Sequence, residues 1–450
     1  MSAGIKKSNT KRRVKKPTGK KSSRISGFHA LGRVERLAAV AEFAGLDSKT
    51  QKQFQSTGNL PGELAERLIE NVIGTMNVPI GVATNLIVDG EELLVPMATE
   101  ESSVVAAVCN AARQCRNTGG ITASTSGALM IAQIQLVEVS DPEAARLKIL
   151  EHKSEIAEIC DGADPILIEL GGGFRDLEVR VLQTQGGPMV ISHLIVDTRD
   201  AMGANAVNTM AERLAPYIAR WTGGKTYLRI LSNLADRRLA RARAVWKPSA
   251  IAVKGLGKQN MPGKKVRDGM LAAYHFAAAD PYRATTHNKG IMNGISAVTL
   301  ATGNDTRAIE AGAHAFAAQS GQYTPLTRWE IDGDGNLVGS LEMPLAMGII
   351  GGATKAHPTA RACLDIMDVK SAEKLQRITA AVGLCQNFAA LKALATVGVQ
   401  KGHMALHAQN IALMAGAKGT EIDRIAQIMT QKETVRLDIA EAELKQLRAN

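Results

Sequence analysis

The chain has few aromatic residues and few cysteines for its length of 450 residues. Aromatic side chains make up 3% of the sequence, which argues against the stacking platforms that many RNA-binding modules use. The five cysteines are odd in number and include no Cys-x-x-Cys pair, so neither a disulfide framework nor a zinc ribbon is expected. Because unpaired cysteines are typical of a reducing compartment, we expect a cytoplasmic protein.

Acidic residues are absent from the first 24 positions, which hold ten lysines and arginines. These ten charges account for nearly all of the formal net charge of +11, so the rest of the chain is close to neutral. The segment is also rich in Ser, Thr, Gly and Pro, which predicts a disordered basic tail over 1–23. A solvated arm is the simpler interpretation, and an anion-binding arm is the alternative. The near-neutral body argues against nucleic acid as a partner.

Long apolar runs are also missing. No run approaches the roughly 20 residues of a membrane span, and the closest, 344–353, is short and broken by glycine. The basic segment lacks the apolar core of a secretory signal. We therefore expect no membrane-spanning segment. The balance of 45% apolar and 22% charged residues is typical of a globular protein, and the length suits two or three domains.

The hydrophobic pattern predicts an α+β protein. Residues 127–232 are predicted to follow the order strand–helix–strand–strand–helix–strand, which is typical of a ferredoxin-like split β-α-β unit and not of a Rossmann sheet. Hairpins are predicted at Asp89-Gly90 and around Asp332–Asn336. Helices are predicted over 34–43, 60–73, 99–116, 142–160, 202–222, 266–279, 306–319, 372–382, 386–397 and 422–448.

Three general ligand motifs fail. Gly224-Lys225-Thr226 ends like a Walker phosphate loop, but Ala219 stands at the first glycine position of that motif. No Gly-x-Gly-x-x-Gly follows a predicted strand, so a standard dinucleotide fold is not supported. The Asp332–Asn336 segment resembles a calcium loop only in part, because Met343 occupies its twelfth position.

Five short segments are unusual when they occur together in one chain. They are Glu70–Gly74; Pro96–Ser103; Asp200–Asn205; a run from Asp280 through Arg283, His287–Gly290 and Asn293-Gly294 to Gly303–Asp305; and Gly402–Met404 with His407-Ala408. In this order they resemble the hydroxymethylglutaryl-coenzyme A (HMG-CoA) reductase family, in its soluble class II form found mainly in prokaryotes. The resemblance extends from about position 24 to position 450.

The resemblance implies an enzyme that reduces HMG-CoA to mevalonate and CoA by two hydride transfers, and class II members often run the reverse direction. It also implies four catalytic residues. Glu101 would protonate the carbonyl oxygen and Lys289 would stabilise the oxyanion. Asp305 would hold these two residues in a hydrogen-bonded set. His403 would protonate the departing CoA thiolate.

Binding residues follow from the same resemblance. Arg283 would bind the free carboxylate of the substrate, with Ser103, Thr286 and Asn293 near the same group. The nicotinamide cofactor would be lined by Asp200, Ala201, Met202, Gly203, Ala204, Asn205 and Asn233. Asp164 stands where NAD-preferring members carry an acid for the adenosine ribose, and such an acid repels a 2′-phosphate. NAD(H) is therefore expected to be preferred, with NADP(H) possible and no metal.

The residue types suit this chemistry. Hydride attack on a thioester places negative charge on oxygen, and a fixed ammonium there could lower the barrier by about 3–4 kcal/mol. Gly290 would allow close backbone approach beside Lys289. Glu101 is expected in the first turn of a helix capped by Thr99, where the helix dipole favours the ionised form. Burial or Asp305 would then have to raise the pKa of Glu101.

Each assignment has a structural alternative. Without the flanking motif, Lys289 is more typical of a solvated surface lysine, and the alternative for Arg283 is a structural ion pair. Asp305 is suited to cap the helix from Thr306, a role compatible with catalysis. Asp164 could instead be a turn residue before a proline. His29 stands where some relatives carry an arginine for the CoA phosphates, which leaves those contacts open.

The resemblance also implies an organisation for the whole chain. A large, mostly helical domain that binds substrate and CoA is expected over 24–126 and 233–397, with the small cofactor domain over 127–232 inserted in it. The segment 398–450 is expected to form a mobile helical flap that carries His403. A homodimer or larger homo-oligomer with shared active sites is expected.

Two other functions compete with the reductase. One is a nucleic-acid-binding protein with a basic tail on a catalytically dead fold. The other is a zinc hydrolase that uses His403 and His407, which are spaced to share one helix face. The residue after His403 is Met404 and not the glutamate of a metalloprotease.

Overall fold

A computed structural model gives the structure of residues 22–55, 58, 60–253, 260–396, 398–432 and 434–449. Within these ranges, the side chains of 353 and 399–406 are not described. The predicted tail, apart from its last two residues, therefore lies outside the described residues, as does the segment 254–259. Ser23, assigned to the tail from sequence, is fully buried, and its hydroxyl donates to Leu86 O at 2.9 Å.

The described residues form ten strands arranged in two sheets. The strands are β1 (Ile80–Val88), β2 (Glu91–Ala98), β3 (Ile121–Thr125), β4 (Leu129–Val137), β5 (Gly173–Thr184), β6 (Gly187–Asp197), β7 (Lys225–Leu231), β8 (Leu239–Trp246), β9 (Thr327–Ile331) and β10 (Leu337–Pro344). The larger sheet has the order β2-β1-β3-β8-β10-β9. Its predicted hairpins are confirmed: β1 pairs antiparallel with β2, and β9 with β10.

The smaller sheet has the order β5-β6-β4-β7, and every neighbouring pair in it is antiparallel. Helices follow β4 and β6, so the strand–helix–strand–strand–helix–strand order predicted for 127–232 is observed. An antiparallel sheet of this order is ferredoxin-like and is not a parallel Rossmann sheet. The prediction of an α+β fold with this unit is confirmed.

Eighteen α-helices complete the described residues. They are α1 (Arg33–Ala44), α2 (Ser48–Gln55), α3 (Gly62–Leu68), α4 (Val104–Cys115), α5 (Pro142–Glu151), α6 (Lys153–Asp161), α7 (Pro165–Glu169), α8 (Ala204–Thr222), α9 (Pro248–Ile251), α10 (Gly263–Ala279), α11 (Pro281–Ala301), α12 (Thr306–Ala317), α13 (Gly352–Ala356), α14 (Pro358–Ile366), α15 (Ala372–Ala395), α16 (Val399–Met414), α17 (Thr420–Gln431) and α18 (Leu437–Ala449). Two 3-10 turns lie at Phe28–Ala30 and Arg116–Thr118.

The core of the larger sheet is built around α15, which contacts α4, α10, α11 and β8. By length and composition alone α15 could cross a membrane, contrary to the expectation that no segment approaches this limit. However, 67% of its apolar window is buried inside the protein, as in the core helix of a globular fold. Two further cores lie beneath the smaller sheet and among α16, α17 and α18.

Several element boundaries differ from the prediction. The helix expected from Thr99 begins at Val104, because Ser103 has a φ of 74° and ends the preceding turn. The helices expected over 372–382 and 386–397 are one helix, α15, and the helix expected over 422–448 is two. The helix expected over 60–73 is shortened to Gly62–Leu68. Helix α11 and strands β3 and β8 were not predicted.

Candidate functional site

Lys289 and Glu101 form the centre of the candidate site. Lys289 lies on α11, and Glu101 lies in the turn between β2 and α4. The Lys289 Nζ donates to Glu101 Oε2 at 2.9 Å. Asn293, one turn further along α11, donates from Nδ2 to Glu101 Oε1 at 3.3 Å. Three residues from two separate sequence motifs therefore meet, although they are about 190 positions apart.

Glu101 does not lie in a helix. It lies in the turn that precedes α4, so the predictions that it occupies the first turn of a helix and is affected by the helix dipole are wrong. The side chains of Lys289 and Glu101 are 61% and 41% exposed, so the burial of Glu101 considered from sequence is not present within one chain. The pair is accessible to a ligand from solvent.

Helix α11 is fixed in place by the residues just before Lys289. Asp280 caps the helix by accepting from Arg283 N at 2.8 Å, and Pro281 occupies its first position, as this residue pair favours. Asn288 is fully buried; its Nδ2 donates to Thr324 O, and its Oδ1 accepts from Leu326 N, both at 2.9 Å. These bonds tie the helix to the segment that leads into β9.

His287 belongs to the same motif as Lys289, but no role was assigned to it from the sequence. It is 1% exposed, and its Nε2 lies 2.6 Å from Thr327 Oγ1. Burial, with the nearby Arg283 cation, lowers the pKa of His287 to about 3, so the ring is neutral near pH 7. Its Nδ1 has no partner among the described residues.

Arg283 supplies an unpaired cation near the base of the same helix. The side chain is half-buried, and no ion pair to its guanidinium occurs in the part of the chain that the structure describes. Burial lowers the pKa of Arg283 below its usual value. The structural ion pair considered from sequence is therefore not observed, and the guanidinium is available to an anionic ligand.

The other expected substrate residues lie on two elements. Thr286 is exposed on α11 and, at spacings of three and four, shares a face with Lys289 and Asn293. Ser103 precedes α4, two residues after Glu101. Its hydroxyl is buried and has no hydrogen-bond partner among the described residues.

Asp305 caps α12. Its Oδ1 accepts from Arg307 N at 3.0 Å and Ala308 N at 3.1 Å, as the sequence allowed. No hydrogen bond or ion pair between Asp305 and either Lys289 or Glu101 occurs in the described ranges. The three-residue set expected from the resemblance is therefore formed only in part in the single chain.

The Asp200–Asn205 segment leads into α8. Asp200 Oδ1 accepts from Ala372 N at 2.7 Å, and Ala201 bridges to Ile350. Gly203, the residue before α8, has a φ of 101° and has no side chain to cap the helix. The first amides of α8 therefore have no side-chain acceptor. Ala204 and Asn205 form the first turn, and Met202 is half-buried before it. Asn233 lies apart from this segment in sequence, with its carbonyl against Gly312 of α12.

Asp164 caps α7 and is not merely a turn residue. Its Oδ1 accepts from Leu167 N at 3.0 Å. Leu167 in turn lies so close to Gly172 that a Cβ there would meet it at 2.5 Å. Asp164 and the triple-glycine turn after α7 are therefore parts of one compact structure.

His403 lies on α16, but its side chain is outside the described residues. His407 is exposed on the same helix. Among the side chains that the structure describes, no group of three or more His, Cys, Asp or Glu residues could hold a metal ion.

Arg238 is a second residue that sequence reasoning missed. It is completely buried between β7 and β8, and its guanidinium contacts the Asp200–Asn205 segment. A single arginine in a polar connection has no sequence pattern that would predict such burial.

Comparison with known proteins identifies relatives over nearly the whole chain. Residues 32–408 match the family described as hydroxymethylglutaryl-coenzyme A reductase. The 3-hydroxy-3-methylglutaryl-coenzyme A reductase of Archaeoglobus fulgidus is 56% identical over 428 residues, 95% of each chain. A probable reductase of Borreliella burgdorferi is 38% identical, covering 85% of this chain and 86% of its own.

Comparison with solved structures identifies the same family. The class II reductase from Streptococcus pneumoniae bound to NADPH in open conformations matches with a TM-score of 0.77 and 38% identity. The match covers 93% of this chain and all of that one. Sequence and fold together show that the chain belongs to the hydroxymethylglutaryl-coenzyme A reductase family, in its class II form.

Proposed function

We propose that this reductase works through the Lys289–Glu101 pair, interconverting HMG-CoA and mevalonate plus CoA. The contact of 2.9 Å between Nζ and Oε2 carries the proposal, because it puts a cation and a carboxyl group at one place. Hydride addition to the thioester carbonyl leaves negative charge on oxygen. The Lys289 ammonium stabilises that oxygen, and Glu101 delivers the proton that neutralises it.

Asn293 and Asp305 support this pair. Asn293 holds the second oxygen of Glu101, which fixes the plane of the carboxyl group. Asp305 is assigned the role of completing the set when substrate and closure bring α12 toward α11. Its second carboxylate oxygen has no capping bond among the described residues and is available for this contact.

Arg283 is assigned the free carboxylate of the HMG group. A half-buried guanidinium without an acidic partner among the described residues binds a carboxylate more strongly than an exposed one, because less water competes. Ser103, whose buried hydroxyl has no partner in the described ranges, is placed to bind the same group, with Thr286 at its edge. His403 is assigned the proton for the CoA thiolate.

The nicotinamide cofactor is assigned to the Asp200–Asn205 segment and Asn233. The fit rests on α8, whose first amides have no side-chain cap and can bind a phosphate of the cofactor. When bound, each of two successive reduced nicotinamides would supply one of the two hydrides. Asp164 accepts the hydroxyls of the adenosine ribose, which favours NAD(H) over NADP(H).

A second subunit is assigned the role of covering the site. Lys289 and Glu101 are too exposed to work on an oxyanion without exclusion of water. The segment from Ile69 to Met76 has no regular secondary structure and exposes three large apolar side chains, Ile69, Ile73 and Met76. Such a patch suits an interface in a symmetric homodimer. Helices α16–α18 are proposed as the flap.

A reducing cytoplasm is the proposed location. All five cysteines are unpaired, and four are buried. Burial raises the pKa of Cys115, Cys160 and Cys363 to about 12, so these thiols are inert.

Steady-state kinetics in both directions test the proposed function. Purified protein is expected to oxidise NADH with HMG-CoA, and to reduce NAD⁺ with mevalonate and CoA. NADPH is run in parallel. Absence of turnover with either cofactor in either direction would overturn the assignment.

Asp164→Asn tests the cofactor preference. Asparagine keeps the cap of α7, since its oxygen still accepts from Leu167 N, while the charge is lost. The ratio of kcat/KM for NADH over NADPH is expected to fall by about tenfold, the effect of one lost repulsion of ~1.4 kcal/mol. Asp141→Asn, at the matched cap of α5, is the control. An unchanged ratio would place Asp164 away from the ribose.

A further inference from the structure

Arg238 is the most completely buried cation among the described side chains. It is 0% exposed, and no ion pair to it occurs within the ranges that the structure covers. Burial lowers the pKa of Arg238 to about 10, which leaves the guanidinium charged near pH 7. Burying a charge without a partner carboxylate costs free energy of folding. The hydrogen bonds of the guanidinium must therefore serve a role that an apolar side chain could not fill.

The guanidinium binds the start of the proposed cofactor segment and the two residues that precede it. Nη1 donates to Thr198 Oγ1 at 2.9 Å, to Ala201 O at 3.0 Å and to Met202 O at 3.3 Å. Nη2 donates to Arg199 O at 3.4 Å. The planar fork of arginine can reach several carbonyls in fixed directions, whereas a lysine cannot match them all.

The same side chain also binds a second segment. Nη2 donates to Met347 O at 2.6 Å, and the backbone carbonyl of Arg238 accepts from Leu345 N at 3.1 Å. Gly348 packs directly on the cofactor segment, because a Cβ there would lie 2.4 Å from Met202 N. Arg238 therefore joins two backbones that already touch.

From this second segment the hydrogen bonds continue to the catalytic side. Gly348 N donates to Asn304 Oδ1 at 2.8 Å, and Asn304 is followed directly by Asp305. On the other flank, Ile349 N donates to Asp200 O at 2.9 Å. The Asp200–Asn205 segment is thus connected to Asp305 by the hydrogen bonds of Arg238 and Gly348 and by the Met347–Gly348 and Asn304–Asp305 peptide bonds.

We infer that Arg238 is a positioning residue that sets the cofactor segment against the catalytic Asp305, so that the hydride donor and the thioester carbon are aligned. The inference rests on the proposed function. It concerns alignment, because Arg238 has no exposed surface with which to touch either substrate. A misplacement of about 1 Å at a reacting centre can reduce the rate on the order of a hundredfold.

Arg238→Lys and Arg238→Met test the inference, because we expect them to change the kinetic constants for the cofactor and not the KM for HMG-CoA. For Arg238→Lys we expect the KM for the nicotinamide cofactor to rise about tenfold and kcat to fall by at least about tenfold. The KM for HMG-CoA should stay within about twofold. Arg238→Met should show larger effects, and a cofactor deuterated at the transferred position should give a larger isotope effect in both variants.

The controls separate alignment from folding. Active sites are counted by substrate binding, and thermal unfolding is followed for every variant. Arg241→Met removes an exposed arginine that pairs with Glu342 and is expected to keep wild-type kinetics. If Arg238→Met fails to fold, the kinetics of Arg238→Lys alone test the inference. Loss of activity in proportion to the folded fraction, with both Michaelis constants unchanged, would overturn the inference. A wild-type protein without turnover would instead overturn the proposed function.

Discussion

The contact between Lys289 and Glu101 joins positions 188 residues apart on the surface of the chain. An ion pair this exposed contributes only about 0–1 kcal/mol to the free energy of unfolding, because water screens it and ordering two long side chains costs entropy. The pair is therefore of little use to stability. Its value is chemical, and substitutions should affect turnover far more than folding.

Lys289→Ala is expected to lower kcat by about 100- to 1,000-fold, the loss seen when one oxyanion donor is removed, and to leave the melting temperature nearly unchanged. Steady-state kinetics and calorimetry measure the two effects. Lys153→Ala, in an exposed pair with Asp176 at 2.6 Å, is the matched control and should alter neither. Comparable activity in the two variants would remove Lys289 from the mechanism.

His287 makes stability depend on pH. Its folded pKa of about 3 lies below the ordinary value of 6.5, so between these values the unfolded chain binds a proton that the folded chain does not. The free energy of unfolding is expected to fall as the pH is lowered through this window, by about 1.4 kcal/mol per pH unit from this one group.

Denaturant unfolding from pH 6.5 to 4 measures this slope in the wild type and in His287→Gln. The glutamine variant should be less stable but should have a flatter dependence on pH. Thr327→Val removes the partner of Nε2 and retains the imidazole, so it should keep the slope. Equal slopes in wild type and His287→Gln would show that His287 is not the group responsible.

Sequence reasoning was most effective where residues act through their type and order in a motif. It placed Lys289 and Glu101 together, as the structure does, whereas Asn293, expected beside the substrate carboxylate, contacts Glu101. It failed for His287 and Arg238, whose roles come from burial between segments far apart in the chain. No local pattern records such burial, since it depends on how elements pack.

At the scale of elements, the close packing of α11 on α15 keeps Lys289 in place. Gly290 was expected to allow a close approach, yet a Cβ there would meet only Ala390 at an ordinary 3.7 Å. Gly294 is the tighter position, because its Cβ would lie 3.0 Å from Gln386 Cβ and 3.3 Å from Val382 O. The position that requires glycine is therefore Gly294, one helical turn after the predicted Gly290.

Gly290→Ala is expected to stabilise the protein by about 0.5–1 kcal/mol, because alanine favours the helix and the space exists. Gly294→Leu is expected to destabilise it by about 1–3 kcal/mol through overpacking. Thermal and denaturant unfolding measure both effects. The opposite order of stabilities would show that Gly290, and not Gly294, is the close contact between the helices.

Element boundaries show why local patterns mislead. Helix α11 was not predicted, because its motif residues are polar and its apolar period is weak, although Asp280-Pro281 marks its start clearly. Helix α4 was predicted to begin too early, because nothing in the sequence shows that Ser103 adopts a positive φ. Tertiary contacts decide such positions.

At the scale of the whole molecule, the order of strands and helices in the smaller sheet was predictable, because alternation and turn residues are local signals. In the larger sheet only the two hairpins were predictable, since β3 and β8 pair across the residues between Thr125 and Leu239. Neither short strand has a sequence pattern that predicts pairing over that separation. The domain ranges, the flap and the dimer remain predictions.

Ile73→Glu tests the proposed dimer. A charge in the exposed apolar segment should dissociate the assembly, because it cannot be buried without a partner. Sedimentation should show the change from dimer to monomer, with turnover lost together with it. Val34→Glu, at another exposed apolar position, on α1, should leave the dimer intact. A wild-type protein that sediments as a monomer and is fully active would contradict the proposal.

Ser126 joins the places where the chain leaves the larger sheet and returns to it. Its amide donates to Leu239 O at 2.9 Å, and its hydroxyl accepts from Leu239 N at 2.8 Å. Because the two ends of the intervening stretch are adjacent, the stretch can be exchanged for that of a relative without altering the span that the host must bridge. We expect the proposed coenzyme preference to move with this stretch when it is exchanged.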